Sequence, residues 1–323
     1  MIQTTVVGSY PKPPDEGRPF ALRRALHALE RGEAREEDVR AAEDALVAEV
    51  IAEQERAGVD IVTDGQVRWD DLLTPFARAM AGFEIGGLIR FFDNNVYYRR
   101  PVCVADVEWR GPASVEEFSF ARAVASRPVK AVIPGPLTFA LLSLDEHYGD
   151  HERFVLAVAR VLAQEAFELE AAGASFIQID EPALLNAPEE LPLAKRALQI
   201  VTGEVKEAEI TLATYFGSVK RLGLELFDLP VQWWALDLIS GSDDYELIEA
   251  APSQVCIQAG IVDARNTKLE AADDLAPDIE RLRRHLAEAR LRTSPSAGLE
   301  FLPREKARSK LERLCEATRK VGV

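Results

Sequence analysis

Carboxylates gather where the apolar runs of this chain stop. The sharpest case is Phe176-Ile-Gln-Ile-Asp180-Glu181-Pro182, a short apolar stretch ending in two adjacent carboxylates and a helix-blocking proline. Other runs end in Gly8-Ser9-Tyr10, Asp64-Gly65-Gln66, Tyr215-Phe216-Gly217, Asp237 and Asp263-Ala264-Arg265-Asn266. In α/β proteins the carboxyl ends of the strands form the rim that carries chemistry. Asp180, Glu181, Asp237 and Asp263 are thus candidates for an acidic cluster, because close carboxylates raise one pKa into the range of general acid or base work. The same oxygens suit a hard cation such as Mg2+ or Mn2+. Their structural alternative is satisfaction by Tyr215, Arg265, Asn266 and Lys268. Trp69, Tyr97 and Tyr98 offer flat faces for a donor molecule, or simply pack an insertion against the body.

The elements that must position these groups follow from period. Apolar runs at 4–9, 60–64, 129–133, 176–179, 210–215, 233–238, 255–260 and 292–296 predict strands. Segments of helical spacing at 36–57, 151–172, 193–208, 278–289 and 304–321 fall between or after them. Such alternation, with about eight strand and helix pairs, predicts a (β/α)8 TIM barrel, an α/β fold. No GxGxxG follows the first strand, which argues against an open dinucleotide-binding sheet. The order breaks once, at 83–109, where two strand-like runs flank the polar turn around Asn94 and Asn95. This predicts a β-hairpin inserted after the second strand, placed to cover the barrel mouth.

Composition narrows the function classes. A chain of 323 residues, 47% hydrophobic, can bury the core of one barrel, so a single domain over 1–323 is expected. The net charge of −16 opposes nucleic-acid and anionic-membrane partners. The start of the chain lacks a charged and then apolar leader pattern, and no run spans a bilayer, which predicts a cytoplasmic protein. Cys103, Cys256 and Cys315 stand far apart without CxxC spacing, so neither a disulfide framework nor a zinc finger is expected.

Four motifs in order carry a family resemblance: Thr4-Thr-Val-Val-Gly-Ser-Tyr-Pro11, Thr63-Asp-Gly-Gln66, Pro134-Gly-Pro-Leu-Thr138 and Gln178-Ile-Asp-Glu-Pro182. As a set they resemble the cobalamin-independent methionine synthase family, in its single-barrel form. The resemblance implies a TIM barrel that transfers a methyl group to the thiol of homocysteine, with zinc holding the thiolate. At the four positions where the family's zinc ligands are expected, this chain has Ala213, Tyr215, Asp237 and Ala297. No metal site and no confident cofactor is therefore predicted. Ala213-Thr-Tyr-Phe-Gly217 and Ala259-Gly-Ile-Val-Asp-Ala-Arg-Asn266 are instead similar to the zinc-free amino-terminal barrel of the two-barrel synthases.

The resemblance also implies an amino-acid pocket at Gly8, Ser9 and Asp180, with Gln66 standing where the family has a carboxylate. Tyr215, Asp263 and Arg265 join the substrate candidates, with Asp180, Glu181 and Asp237 as catalytic candidates and Trp69, Tyr97 and Tyr98 as donor candidates. The expected partners are a thiol amino acid and a methyl donor, either folate or a corrinoid protein. Two alternatives stay open: a metal-free barrel lyase of decarboxylase type using Asp64, Asp180 and Arg265, and a non-catalytic amino-acid-binding relative.

Overall fold

In the computed structural model, which describes residues 1–322, the chain runs β1 (Gln3–Thr4), α1 (Ala21–Glu30), α2 (Glu36–Ala57), α3 (Thr74–Ala79), β2 (Met80–Arg90), β3 (Tyr97–Trp109), α4 (Val115–Val124), β4 (Lys130–Pro134), α5 (Pro136–Leu142) and β5 (Leu144–Asp145). It continues through α6 (His151–Ala171), β6 (Phe176–Asp180), α7 (Leu191–Gly203), β7 (Glu209–Thr214), β8 (Trp233–Asp237), α8 (Asp244–Ala250), β9 (Cys256–Val262), α9 (Ala272–Arg283), β10 (Leu291–Pro295) and α10 (Arg304–Val321). Seven strands form a curled parallel sheet in the order β1-β10-β9-β8-β7-β6-β4. Single bridges Thr5–Ile61 and Val62–Val129 join its two edges through residues 61–62 and close the barrel. Strands such as β4, β8 and β10 are buried along their whole length, as expected with helices outside and side chains within.

The first two strands are shorter than their apolar runs predict. Of 4–9 only the start pairs regularly, and 60–64 contributes single bridges. The reason lies in the carbonyls, which side chains take in place of a neighbouring strand. Lys130 Nζ donates to Val6 O at 2.6 Å, Gln178 Nε2 to Val7 O at 2.7 Å, and Thr63 Oγ1 to Gly8 O at 2.7 Å. Helix α9 also differs, starting six residues before its expected position at 278 and enclosing Pro277. Its first turn is reinforced by Asp274, which accepts from Ala271 N at 3.4 Å.

The inserted hairpin, β2 with β3, begins at Met80, three residues earlier than the expected 83. The register shifts between Ala81 and Phe83, where Gly82 has φ +86°. A side chain there would sit 2.5 Å from Asp106 O, so the bulge needs glycine. At the far end, Phe91 and Phe92 pack on Phe216 of the barrel rim, with ring centroids 6.3 and 5.9 Å apart. The hairpin therefore lies over the mouth. Among the described residues no helix is long and apolar enough to cross a membrane.

One buried carboxylate fixes the segment after β1. Glu53 of α2 accepts from Tyr10 Oη at 3.0 Å, Arg304 Nε at 3.1 Å and Arg308 Nη1 at 3.2 Å. Glu53 and Arg304 are 3% and 1% exposed, so neither charge has water as an alternative partner. Removing one member of such a pair strands the other. Glu53→Ala is expected to cost about 3 kcal/mol or more in urea unfolding, and a loss within error would show that the network does not hold the fold.

Candidate active site

A cleft opens at the carboxyl ends of the strands beneath the hairpin, enclosing about 620 Å³ including its open mouth. Ser9, Gln66 and Trp69 line one side, Asp180, Tyr215 and Phe216 another, with Lys12, Glu300 and Phe301 beside them and Phe91 and Tyr97 from the hairpin.

Asp180 is the floor of this cleft. It follows Gln178 by two residues on β6, so both side chains point into the barrel. Asp180 accepts from Gln178 Nε2 at 2.6 Å and from Tyr215 Oη at 3.0 Å. The Gln178 oxygen in turn accepts from Lys130 Nζ. This chain of buried polar groups crosses the barrel without a direct carboxylate to ammonium contact. Burial pushes the Asp180 carboxyl up to about 7, against the opposing pull of Gln178, Tyr215 and Lys130. Burial likewise drives Lys130 down to about 7, with Asp180 opposing. The Tyr215 phenol is held well above its usual range, first by burial and then by Asp180, and so keeps its proton.

The expected acidic cluster does not assemble. Glu181 turns away from the cleft and accepts from the amides of Leu137, at 3.1 Å, and Thr138 at the start of α5. A side chain on Gly135 would lie 2.2 Å from its oxygen, so that glycine exists for this contact. Burial pushes the Glu181 carboxyl up to about 7. Asp237 spends its oxygens on the amides of Phe216, Ile239 and Ser240, at 3.0, 3.1 and 2.9 Å. Asp263 accepts from Arg265 N at 2.8 Å within its own turn. Backbone amides left unpaired at the strand ends claim these carboxylates before they can converge.

Other candidates divide similarly. Gly8 lies under the Gln66 amide, with an added Cβ meeting Nε2 at 2.8 Å. Asp263 and Arg265 line a neighbouring open groove, where the guanidinium sits 5.0 Å over Phe216 and donates to Ser240 Oγ at 3.1 Å. Asp64 is turned to Gln66 N at 3.0 Å, so Asp64, Asp180 and Arg265 do not share one mouth. Tyr97 is exposed at the cleft. Tyr98 borders it too, but donates its hydroxyl to Leu142 O at 2.8 Å. Trp69 packs edge-on against Phe76, and its buried indole N–H has no acceptor among the described residues.

Asp64 and Asp237 acquire a shared task. Three non-glycine residues among those described have left-handed backbone: Gln66 (φ 53°), Phe92 (φ 50°) and Phe216 (φ 73°). All three stand at the mouth. Each such conformation costs on the order of 1–3 kcal/mol, and Asp64 and Asp237 hold two of them by accepting from the amides of Gln66 and Phe216.

Lys12 and Glu300 were not singled out by their sequence context. Lys12 donates to Trp69 O, and burial lowers its pKa while Glu300 and nearby aspartates oppose. Glu300 is reached by solvent through the cleft yet closely ringed by protein. That surrounding raises its carboxyl, with Lys12 and the Ser9 hydroxyl holding it down. Lys130 did carry a signal, as a lone charge opening an apolar strand.

The full length of this architecture has known counterparts. Residues 2–320 match the family model described as the catalytic domain of cobalamin-independent synthase. A methionine synthase of Pyrococcus abyssi is 34% identical over 322 residues, covering 99% of this chain and 92% of that protein. The chain belongs to the cobalamin-independent methionine synthase family. A methionine synthase of Saccharolobus solfataricus is 32% identical over 99% of this chain and 95% of its own length. The fold of a B12-independent methionine synthase from Shewanella sp. W3-18-1, solved in complex with selenomethionine, superposes with a TM-score of 0.87 at 22% identity. The match covers 99% of this chain and 98% of that one.

The family's zinc does not fit the donor atoms at the positions expected to bind it. Ala213 and Ala297 have none to offer, the Tyr215 hydroxyl is a protonated donor to Asp180, and the Asp237 oxygens are taken by amides.

The polar chain through the barrel predicts a pH signature. Between about 4, where an unfolded aspartate ionises, and the Asp180 value near 7, the folded chain keeps a proton that the unfolded chain has lost. Stability therefore falls as pH rises through that window. Lys130 acts in the opposite sense above 7, where the folded chain has released a proton that the unfolded chain still holds. Asp180→Asn is expected to flatten the lower limb, gaining on the wild type in urea unfolding between pH 5 and 7. Parallel pH profiles for the two proteins would refute the assignment.

Proposed function

We propose that this protein is a methyltransferase acting on the sulfur of homocysteine or a similar thiol amino acid, with a folate or a methyl-corrinoid as donor. The observation that carries the reading is the cleft itself. Ser9 and Asp180, whose motifs match the family's amino-acid-binding positions, border one cavity, and the flat faces of Trp69 and Tyr97 lie beside it. The names of the similar proteins from Pyrococcus abyssi and Saccharolobus solfataricus support the same chemistry.

In this reading Ser9 and Asp180 hold the acceptor, Tyr215 keeps Asp180 oriented, and the hairpin limits the entry of water. The sulfur bonds to the methyl carbon as the bond from that carbon to the donor breaks with its electron pair staying on the donor, and the thiol proton passes to the departing folate nitrogen or, with a corrinoid donor, to solvent. Asp237 and Glu181 position loops and touch no reacting atom. No step runs through zinc, because the residues at the family's ligand positions supply no set of free donors. The lyase alternative gains no support, since its three residues stand apart.

Two measurements test the proposal. Purified protein given homocysteine and a donor with an isotopically labelled methyl group is expected to form labelled methionine with one of the two donor classes. Tight homocysteine binding without product from either donor would replace this reading with that of an amino-acid-binding relative. Protein purified without chelator or metal-binding tag is expected to hold well under one zinc per chain, and stoichiometric zinc would sink the zinc-free part of the proposal.

A further inference from the structure

The cleft contains a carboxylate that the family motifs do not account for. Glu300 lies in the loop after β10, and that loop is fastened to the turn that follows β1. Leu299 N donates to Ser9 O at 2.9 Å, and an added Cβ on Gly298 would meet Ser9 Oγ at 2.0 Å. Only glycine lets the two loops approach so closely. Glu300 consequently emerges beside Ser9, in the lining of the same cavity as Asp180.

The opposite flank of the turn carries the complementary change. Gln66 packs its amide against Gly8, at the place where the family resemblance implies a carboxylate. Its left-handed backbone is held by Asp64, so the amide is fixed in position. One flank of the Gly8-Ser9 turn has thus lost a negative charge and the other presents one. Glu300 has no cation within salt-bridge distance among the described residues, since Lys12 donates to Trp69 O and influences Glu300 only from farther away. A carboxylate that lines a cleft without a paired cation can accept from an ammonium group, and such a charge-assisted hydrogen bond is roughly twice as strong as a neutral one.

We infer that Glu300, together with Asp180, binds the ammonium group of an α-amino-acid ligand, replacing the carboxylate that Gln66 no longer provides. The inference rests on the amino-acid-binding reading above and adds the residue that selects for a free amino group. Lys12, in the lining of the same cleft, favours an anionic part of the ligand.

Titration calorimetry with L-homocysteine and with 4-mercaptobutanoate, its analogue lacking the amino group, separates this role from a structural one. The wild type is expected to prefer homocysteine. Glu300→Gln is expected to weaken homocysteine binding about tenfold or more, the scale of a charged hydrogen bond, while leaving the analogue unchanged. Glu300→Ser, too short to reach the ligand, is expected to lose the same preference and guards against a folding defect peculiar to the first variant. Adding Gln66→Glu to Glu300→Gln is expected to restore most of the homocysteine affinity. Equal weakening toward both ligands, or no weakening, overturns the role of Glu300 while the amino-acid reading stands. Wild-type protein that binds neither ligand overturns both.

Discussion

The buried amide of Gln178 is the constraint on which the interior of this barrel depends. Its oxygen accepts from Lys130, and its nitrogen donates to Val7 O and to Asp180. A fully buried amide must satisfy these bonds within the protein. By drawing the Val7 carbonyl inward, alongside the Lys130 contact to Val6 O, it ends the regular pairing of β1 after Thr4. The chain then lifts off the barrel wall as the segment that carries Ser9 and Lys12 into the cleft. The bond that orients Asp180 and the bonds that shape the wall opposite it share the same side chain.

The rim follows a second rule: carboxylates serve backbone first. Asp64, Glu181, Asp237 and Asp263 all accept from amides that the ends of strands and helices leave unpaired. Two of these contacts hold the left-handed backbone of Gln66 and Phe216 at the cleft. Phe216 then meets the hairpin through Phe91 and Phe92 and the carboxy-terminal loop through Phe301, at 5.8 Å. Carboxylates that look catalytic in a row of motifs thus act one step away, by fixing where the aromatic walls stand.

Family membership and site chemistry separate in this protein. The barrel and the match over nearly the full chain agree with cobalamin-independent methionine synthases, whereas the residues at the positions expected to hold their zinc lack donor atoms or commit them elsewhere. A fold of this type tolerates such divergence because the scaffold is held by buried strands and by networks such as Glu53 with Tyr10, Arg304 and Arg308, none of which borders the reacting space.

The sequence by itself determined the alternation that makes a parallel barrel, the inserted hairpin, the family and the shared face of Gln178 and Asp180. These rest on local period: strand side chains alternate, so Gln178 and Asp180 must share a face. It did not determine which rim carboxylates stay free, because that depends on the amides that distant loops leave unpaired. Glu181 and Asp237 turned from the cleft for that reason, while Tyr98 spent its hydroxyl on Leu142 O. Lys12 and Glu300, at opposite ends of the chain, meet in one cleft only because β1 and β10 are neighbours in the closed sheet. Closure of the barrel is a long-range event, and no local pattern of residues encodes which loops it will bring together.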